Sequence, residues 1–311
     1  MAKNKQQNQR SSQPKNLESA ISAASTGVTQ PTPPAHQPNP VGQAPKTHTD
    51  VIREIMVRQQ QQEEQMRSQM ANMPPPTPFD FSKVHIHFGI PCYGGLMYES
   101  TMTSFIQFMM AASQVGLSWS LDTMTNESLI TRARNNLCAK MMYNTKATHF
   151  MFIDADIRFK AETILQMIAA DKDIICGAYC RKSLPPQLNV NLKAETKIQG
   201  PLCTIDTAAT GYLLFKRGVY EKLISLHPDT KYVDDIGLGK QYEPNMYAIF
   251  DCFIDEKGHY LSEDWAFSRR AQKAGYDIWM DNRATAHLGH MGTYEFKSID
   301  ALNGVNPSVK Q

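Results

Sequence analysis

The sequence from Lys83 onward predicts an α/β fold, on three observations. Strand-like and helix-like units alternate along it, the pattern of helices laid on a sheet. The composition changes sharply near residue 80: no Phe, Trp or Tyr precedes Phe79, and Gln and Pro supply 24 of the first 80 residues. The apolar run Phe150-Met151-Phe152-Ile153 ends in Asp154-Ala155-Asp156. If that run is a buried strand, both acids stand at its carboxyl end, where open α/β sheets place their ligands.

Each element follows in turn. Val84–Ile90 alternates as a first strand and stops at Pro91-Cys92-Tyr93-Gly94-Gly95. Ser100–Val115 follows as a helix, and Leu117–Asp122 reads as a second strand. Leu129–Tyr143 has helical spacing, and His149–Ile153 is the third strand. Ala161–Ala170 is a helix and Asp173–Ala178 the next strand. Residues 181–260 are less regular, apart from the small-residue turn Ala208-Ala209-Thr210-Gly211, which runs into the apolar Tyr212–Phe215. Glu263–Ala274 reads as an amphipathic helix entered through an acidic first turn, with Ser262 as N-cap and Gly275 as terminator. Tyr276–Met280 is a last strand, and residues 287–294 follow as a Gly-rich loop. There is no internal repeat.

Residues 1–80 carry too little apolar surface to offset the entropy of ordering them, so a disordered low-complexity arm is expected. Within it, Thr49–Met70 lacks Pro and Gly and suits a helix capped by Thr49, solvated or transient, with self-association as the alternative. Pro74-Pro75-Pro76 and Pro78 close the arm as a stiff linker. The domain is expected over 83–300, with a tail over 301–311.

Composition excludes several classes. The net charge is +2 over 311 residues, with eight Lys/Arg and six Asp/Glu in the first 80, which argues against binding to nucleic acid or an anionic membrane. No apolar run approaches the roughly 18–20 residues of a membrane span. The first ten residues have no apolar core behind their charges and do not read as a secretory signal. None of the six cysteines forms a C-x-x-C pair. Buried reduced thiols and a cytoplasmic setting are expected.

Four features could carry chemistry. Asp154 and Asp156 are spaced i, i+2 and can converge on one divalent cation through hard oxygens, and such a cation can neutralise a diphosphate. Asp264, with Glu263 beside it, could accept the proton of an attacking hydroxyl, although acids opening a helix are often only dipole partners. His290, flanked by Gly289 and Gly292, is the better placed of the His287/His290 pair for a further ligand; imidazole suits manganese more than magnesium. Thr131-Arg132-Ala133-Arg134-Asn135 offers an arginine fork for phosphate, against the commoner fate of surface arginines. The phosphate-loop, nucleophile-elbow and H-E-x-x-H motifs are absent, and Gly94-Gly95 does not complete G-x-G-x-x-G.

In order along the chain, Ile90–Tyr93, Ala133–Asn135, Phe152–Asp156, Ala209–Tyr212, Glu263-Asp264 and His290–Tyr294 resemble the elements of a family-2-like glycosyltransferase of the GT-A fold, of the kind found in bacteria and phages. The resemblance covers about Lys83 to Phe296. It implies a single Rossmann-like domain with a mixed, mostly parallel sheet, acting on a nucleoside-diphosphate sugar. It implies that Pro91, Cys92 and Tyr93 border the nucleobase, with Asp122 a further candidate, and that Arg134 and Asn135 lie near the nucleotide. Asp154 would touch the ribose or the metal, and Asp156 and His290 would ligate the metal. Ala209, Thr210 and Gly211 would line the donor-sugar or acceptor pocket. Asp264 would be the base of an inverting displacement, a positioning role in a retaining one being the alternative. The Q-x-x-R-W element of processive synthases is absent, and the acceptor is open. The rival readings are a sugar nucleotidyltransferase, which would want a basic Gly-rich loop after the first strand, and a non-catalytic carbohydrate-binding or virion-associated protein.

Overall fold

The computed structural model describes residues 46–70 and 79–306. The predicted arm up to residue 45, the Pro74–Pro78 linker and the last five residues of the expected tail lie outside the described residues.

Helix α1 (His48–Met70) precedes β1 (His85–Cys92), α2 (Glu99–Val115), β2 (Ser118–Thr125), α3 (Ile130–Tyr143) and β3 (His149–Ile153). The short β4 (Ile157–Arg158), α4 (Ala161–Ala169) and β5 (Ile174–Cys176) follow. After them come β6 (Asn191–Leu192), β7 (Ile198–Gln199), β8 (Leu202–Thr207), β9 (Tyr212–Lys216) and α5 (Arg217–Leu226). The chain continues through β10 (Phe253–Ile254), β11 (Tyr260–Leu261), α6 (Glu263–Lys273), β12 (Ile278–Asp281) and α7 (Asn282–His287). It closes with β13 (Gly289–Met291), β14 (Glu295–Lys297) and α8 (Ser298–Leu302).

The main sheet has the order β2-β1-β3-β9-β5-β12-β8-β6. The β1–β2, β1–β3 and β5–β12 pairs are parallel, while β9 and β8 run against their neighbours. The expected α/β class with a mostly parallel sheet is what the chain adopts. Both faces are covered, which explains why its central strands read as continuous apolar runs. Phe150 and Phe152 of β3 enter one core with Leu213 and Phe215 of β9, while Met151, Ile153, Tyr212 and Leu214 enter the other. Fully burying one such side chain is worth about 1.5–3 kcal/mol. Gly89 lets α3 sit close: a Cβ there would stand 3.3 Å from Leu137 Cβ and 3.2 Å from Met141 Cε.

Four expectations need correction. The helix at 48–70 is not merely solvated, because Ile52 and Ile55 are buried and Arg53 Nη2 donates to the Ala301 carbonyl at 2.8 Å. Asn282 Nδ2 also donates to Gln59 Oε1 at 2.7 Å. Its cap is Thr47, whose hydroxyl accepts from Asp50 N while Asp50 Oδ2 accepts from Thr47 N, a reciprocal capping box. Thr49 is buried and accepts from Leu188 N. The expected tail begins too early, since Ala301 and Leu302 of α8 are buried in contact with that helix. The loop expected at 287–294 contains β13, which pairs with β14 and with β4. No described helix is long and apolar enough to cross a membrane.

Candidate active site

The register of β1 against β3 pairs Gly89 with Phe152, so two residues on, Pro91 stands level with Asp154 at the carboxyl ends of both strands. A cleft of about 710 Å³ opens there, lined by Pro91, Tyr93, Leu96, Tyr98, Glu127, Ile130, Asp154 and Asp156 among others. Its rim is aromatic and aliphatic, with Tyr93 70 % and Leu96 76 % exposed. Such a mix of apolar walls and a few polar groups is the usual make-up of a small-molecule site.

The inner wall is a buried network centred on Arg134. Its Nη2 donates to Asp154 Oδ1 at 2.9 Å and its Nε to Glu263 Oε1 at 3.4 Å, while the guanidinium lies 5.2 Å from the Phe152 ring centroid. Burial opposes the charge on Arg134, but Asp154 and Glu263 outweigh it and hold its pKa above the ordinary arginine value. Thr210 Oγ1 donates to the same Glu263 oxygen. Asp154 N donates to Gly211 O at 3.0 Å, and Gly211 N donates to Tyr179 Oη at 3.2 Å. A Cβ on Gly211 would stand 2.6 Å from Tyr179 Oη and 2.7 Å from Asp154 Oδ2, so the position admits no side chain without displacing the wall. Burial and the Asp154 charge push the Tyr179 hydroxyl well above its usual pKa, so it stays protonated.

Asp156 belongs to the outer rim. The pairing of His290 with Ile157 brings the His290 ring beside it, with Nε2 3.4 Å from Asp156 Oδ2. His290 Nδ1 lies 2.8 Å from the Cys180 carbonyl, which can only accept. Nδ1 therefore carries a proton, and Nε2 is the nitrogen turned to the carboxylate. Lys182 Nζ also reaches Asp156 Oδ2, at 2.5 Å. Burial raises the Asp156 carboxyl, but the bonds from His290 and Lys182 outweigh it and hold its pKa below the ordinary value. A carboxylate oxygen and an imidazole nitrogen this close are of the ligand types a manganese-type cation accepts. Asp154 is turned to Arg134, and among the described residues no three His, Cys, Asp or Glu side chains converge as a complete cage. The fit is that of a two-ligand site with its other positions left to ligand or water.

Glu263 and Asp264 open α6 as the sequence indicates, but Ser262 makes no side-chain cap; its hydroxyl donates to Asp264 Oδ1 instead. Trp265 N donates to the same oxygen at 2.8 Å. Burial, and after it the charge of Glu263, raise the Asp264 carboxyl above its ordinary pKa, although the Ser262 bond and Arg134 pull it down.

The remaining predicted residues are placed differently. Pro91 and Tyr93 line the cleft, whereas Cys92 is buried in the core. Asn135 Oδ1 accepts from Phe250 N at 2.9 Å, and so fixes the segment behind the wall. Asp122 lies 3.0 Å from His87 Nε2 and 3.3 Å from Lys140 Nζ, and the cleft lining does not include it. Ala209 and Thr210 are buried and back the wall. His287 contributes its carbonyl to Arg158 and is not the ring beside Asp156. Sequence reading did not single out Tyr179 or Lys182. Both follow the strand at 174–176 on its carboxyl side, and that position was the available signal.

No family model matches the chain, and no curated protein matches it. Among solved structures, the chain is similar to the A197 protein from STIV at 15 % identity and a TM-score of 0.40, covering 67 % of this chain and 86 % of that one. It is similar to a glycosyltransferase involved in the glycosylation of the major capsid of PBCV-1 at 12 % identity and a TM-score of 0.28, covering 70 % and 97 %. It is similar to a 4-diphosphocytidyl-2C-methyl-D-erythritol synthase from Anaerococcus prevotii at 9 % identity and a TM-score of 0.29, covering 61 % and 99 %. At these scores none of the likenesses carries an assignment.

Proposed function

We propose that this chain is a glycosyltransferase of the GT-A type that moves a sugar from a nucleoside-diphosphate donor to an acceptor hydroxyl with inversion. One observation carries the reading. Two carboxylates at the end of β3 are each joined to a different distant element: Asp154 through Arg134 to Glu263 at the head of α6, and Asp156 to His290. The strand end is thus tied to the acidic helix start on one side and to the C-terminal histidine on the other.

The nucleobase fits the aromatic side of the cleft near Pro91, Tyr93 and Tyr98, and the diphosphate fits the Asp156 end. A divalent cation on Asp156 and His290, manganese in preference to magnesium, supplies positive charge for the departing diphosphate. Asp264 takes the acceptor proton as the acceptor oxygen bonds to the sugar carbon and the bond to the diphosphate breaks. Its Oδ2 accepts no hydrogen bond from the described residues, and its raised pKa makes it a better base than an exposed carboxylate.

Incubation with labelled sugar nucleotides and manganese tests this. Release of free nucleoside diphosphate, abolished in Asp156→Asn with the fold intact, is the expected result. With a nucleoside triphosphate and a sugar 1-phosphate supplied instead, release of pyrophosphate would establish a nucleotidyltransferase, and no release in either incubation a binding protein.

A further inference from the structure

Asp156 Oδ2 faces two nitrogen groups, the His290 imidazole and the Lys182 ammonium, and only the first is firmly placed. His290 sits on paired strand β13, and its Nδ1 is anchored to the Cys180 carbonyl. Lys182 is carried on the exposed segment 181–185, with its side chain 39 % exposed and its stem against Gly292, where an added Cβ would stand 3.4 Å from Lys182 Cδ. Asp156 is the acceptor its ammonium bonds among the described residues. The backbone beneath it is fixed on both sides: Arg181 N donates to Gln187 O at 2.9 Å, and Cys180 bridges to Leu188. The root of the segment is held while a four-carbon stem remains free to swing.

We infer that Lys182 is a resident counter-cation for the candidate metal site, competing with the divalent cation for Asp156 Oδ2 and, once displaced, turning its ammonium onto the diphosphate of the donor. The inference rests on the reading above of the Asp156–His290 pair as a cation site. An ammonium is not kept on a carboxylate oxygen that a dication has taken from the same side, because its repulsion from the dication exceeds what the ammonium gains from the carboxylate. Lys182 therefore leaves when the cation binds. The nearest new source of negative charge is then the diphosphate that the same cation draws in. The residue keeps the empty carboxylate neutralised, weakens metal binding when no donor is present, and strengthens donor binding when metal is present. Lys182 is in this scheme a positioning and binding residue.

The opposite signs of the two effects make the test. Manganese binding to the full chain is measured by calorimetry or by electron paramagnetic resonance of free manganese, without nucleotide. Inorganic pyrophosphate is then titrated in at saturating manganese. Lys182→Gln should bind manganese roughly threefold to tenfold more tightly, the effect of removing one partly exposed ion-pair competitor, and bind pyrophosphate more weakly by a similar factor. Lys182→Arg should stay near the parent on both counts. Manganese affinity unchanged or reduced in Lys182→Gln overturns the inference, as does pyrophosphate affinity that does not fall. Asp156→Asn separates the two levels. If it loses manganese while Lys182→Gln binds no tighter, only the role of Lys182 fails. If it binds manganese as the parent does, the cation site fails and the role of Lys182 with it.

Discussion

The inner wall and the outer rim of the cleft start two residues apart yet follow opposite physical rules. At the wall, Arg134 is 3 % exposed, pairs with two carboxylates and stacks near Phe152, with Tyr179 and Gly211 closing the space behind Asp154. At the rim, Asp156 is a quarter exposed and pairs with the partly exposed Lys182. A buried charge network is costly to break and offers little freedom, whereas a partly exposed pair is cheap to exchange. Substitutions in the wall should therefore be read mainly in stability, and those at the rim and base mainly in binding and rate.

The largest expected effect belongs to Asp264, the base in the proposed function. Asp264→Asn should lower turnover by about 10²–10⁴-fold, the range for a lost general base, with donor affinity nearly unchanged. Steady-state release of nucleoside diphosphate, with a separate binding titration, checks this; a loss confined to donor affinity would move Asp264 into the wall. Arg134→Met comes next. It leaves Asp154 and Glu263 facing each other without their shared cation and should cost about 3 kcal/mol in urea unfolding. Asp156→Asn should cost less than about 1 kcal/mol in the same experiment, because its pairs are partly solvated. Equal costs would erase the distinction between wall and rim. Gly211→Ala should follow at about 1–3 kcal/mol, the usual penalty for overpacking, since the new methyl must displace Tyr179 or Asp154.

The wall was less legible in the sequence than the strand that carries it. The apolar run His149–Ile153 is bounded by polar residues on both sides, and its ends coincide with those of β3. The Glu263 helix was marked by its acidic start and by Gly275 beyond its end. Placing Asp154 against Arg134 needs the packing of α3 on β1 through Gly89, a tertiary fact with no periodic signature. The rim was harder still. β4 and β13 are two and three residues long, too short for an alternation to show, and only their mutual pairing sets His290 beside Asp156. The same brevity hid β6 and β7 in the segment after residue 181. Helix α1 misled for another reason: its composition is that of a solvated helix, while a few side chains, Ile52 and Gln59 among them, find partners on elements hundreds of residues away.

The smallest effect is also the one that joins the wall to the chemistry. Burial, and then the negative charge of Glu263, raise the Asp264 pKa. A base must be unprotonated, so turnover should fall on acidification through that raised pKa, with the acid limb above the ordinary carboxylate value of 3.8. Glu263→Gln removes the neighbouring charge and should move the limb to lower pH by a fraction of a unit. Linkage gives an independent sign. A carboxyl whose pKa is raised by folding favours the folded state fully below its unfolded pKa and loses that contribution as pH rises through the folded value. Asp264→Asn should accordingly melt slightly higher than the parent at neutral pH, an advantage that disappears in acid. A limb that stays fixed in Glu263→Gln would mean that burial alone sets the pKa of Asp264, and that the wall positions the base without tuning it.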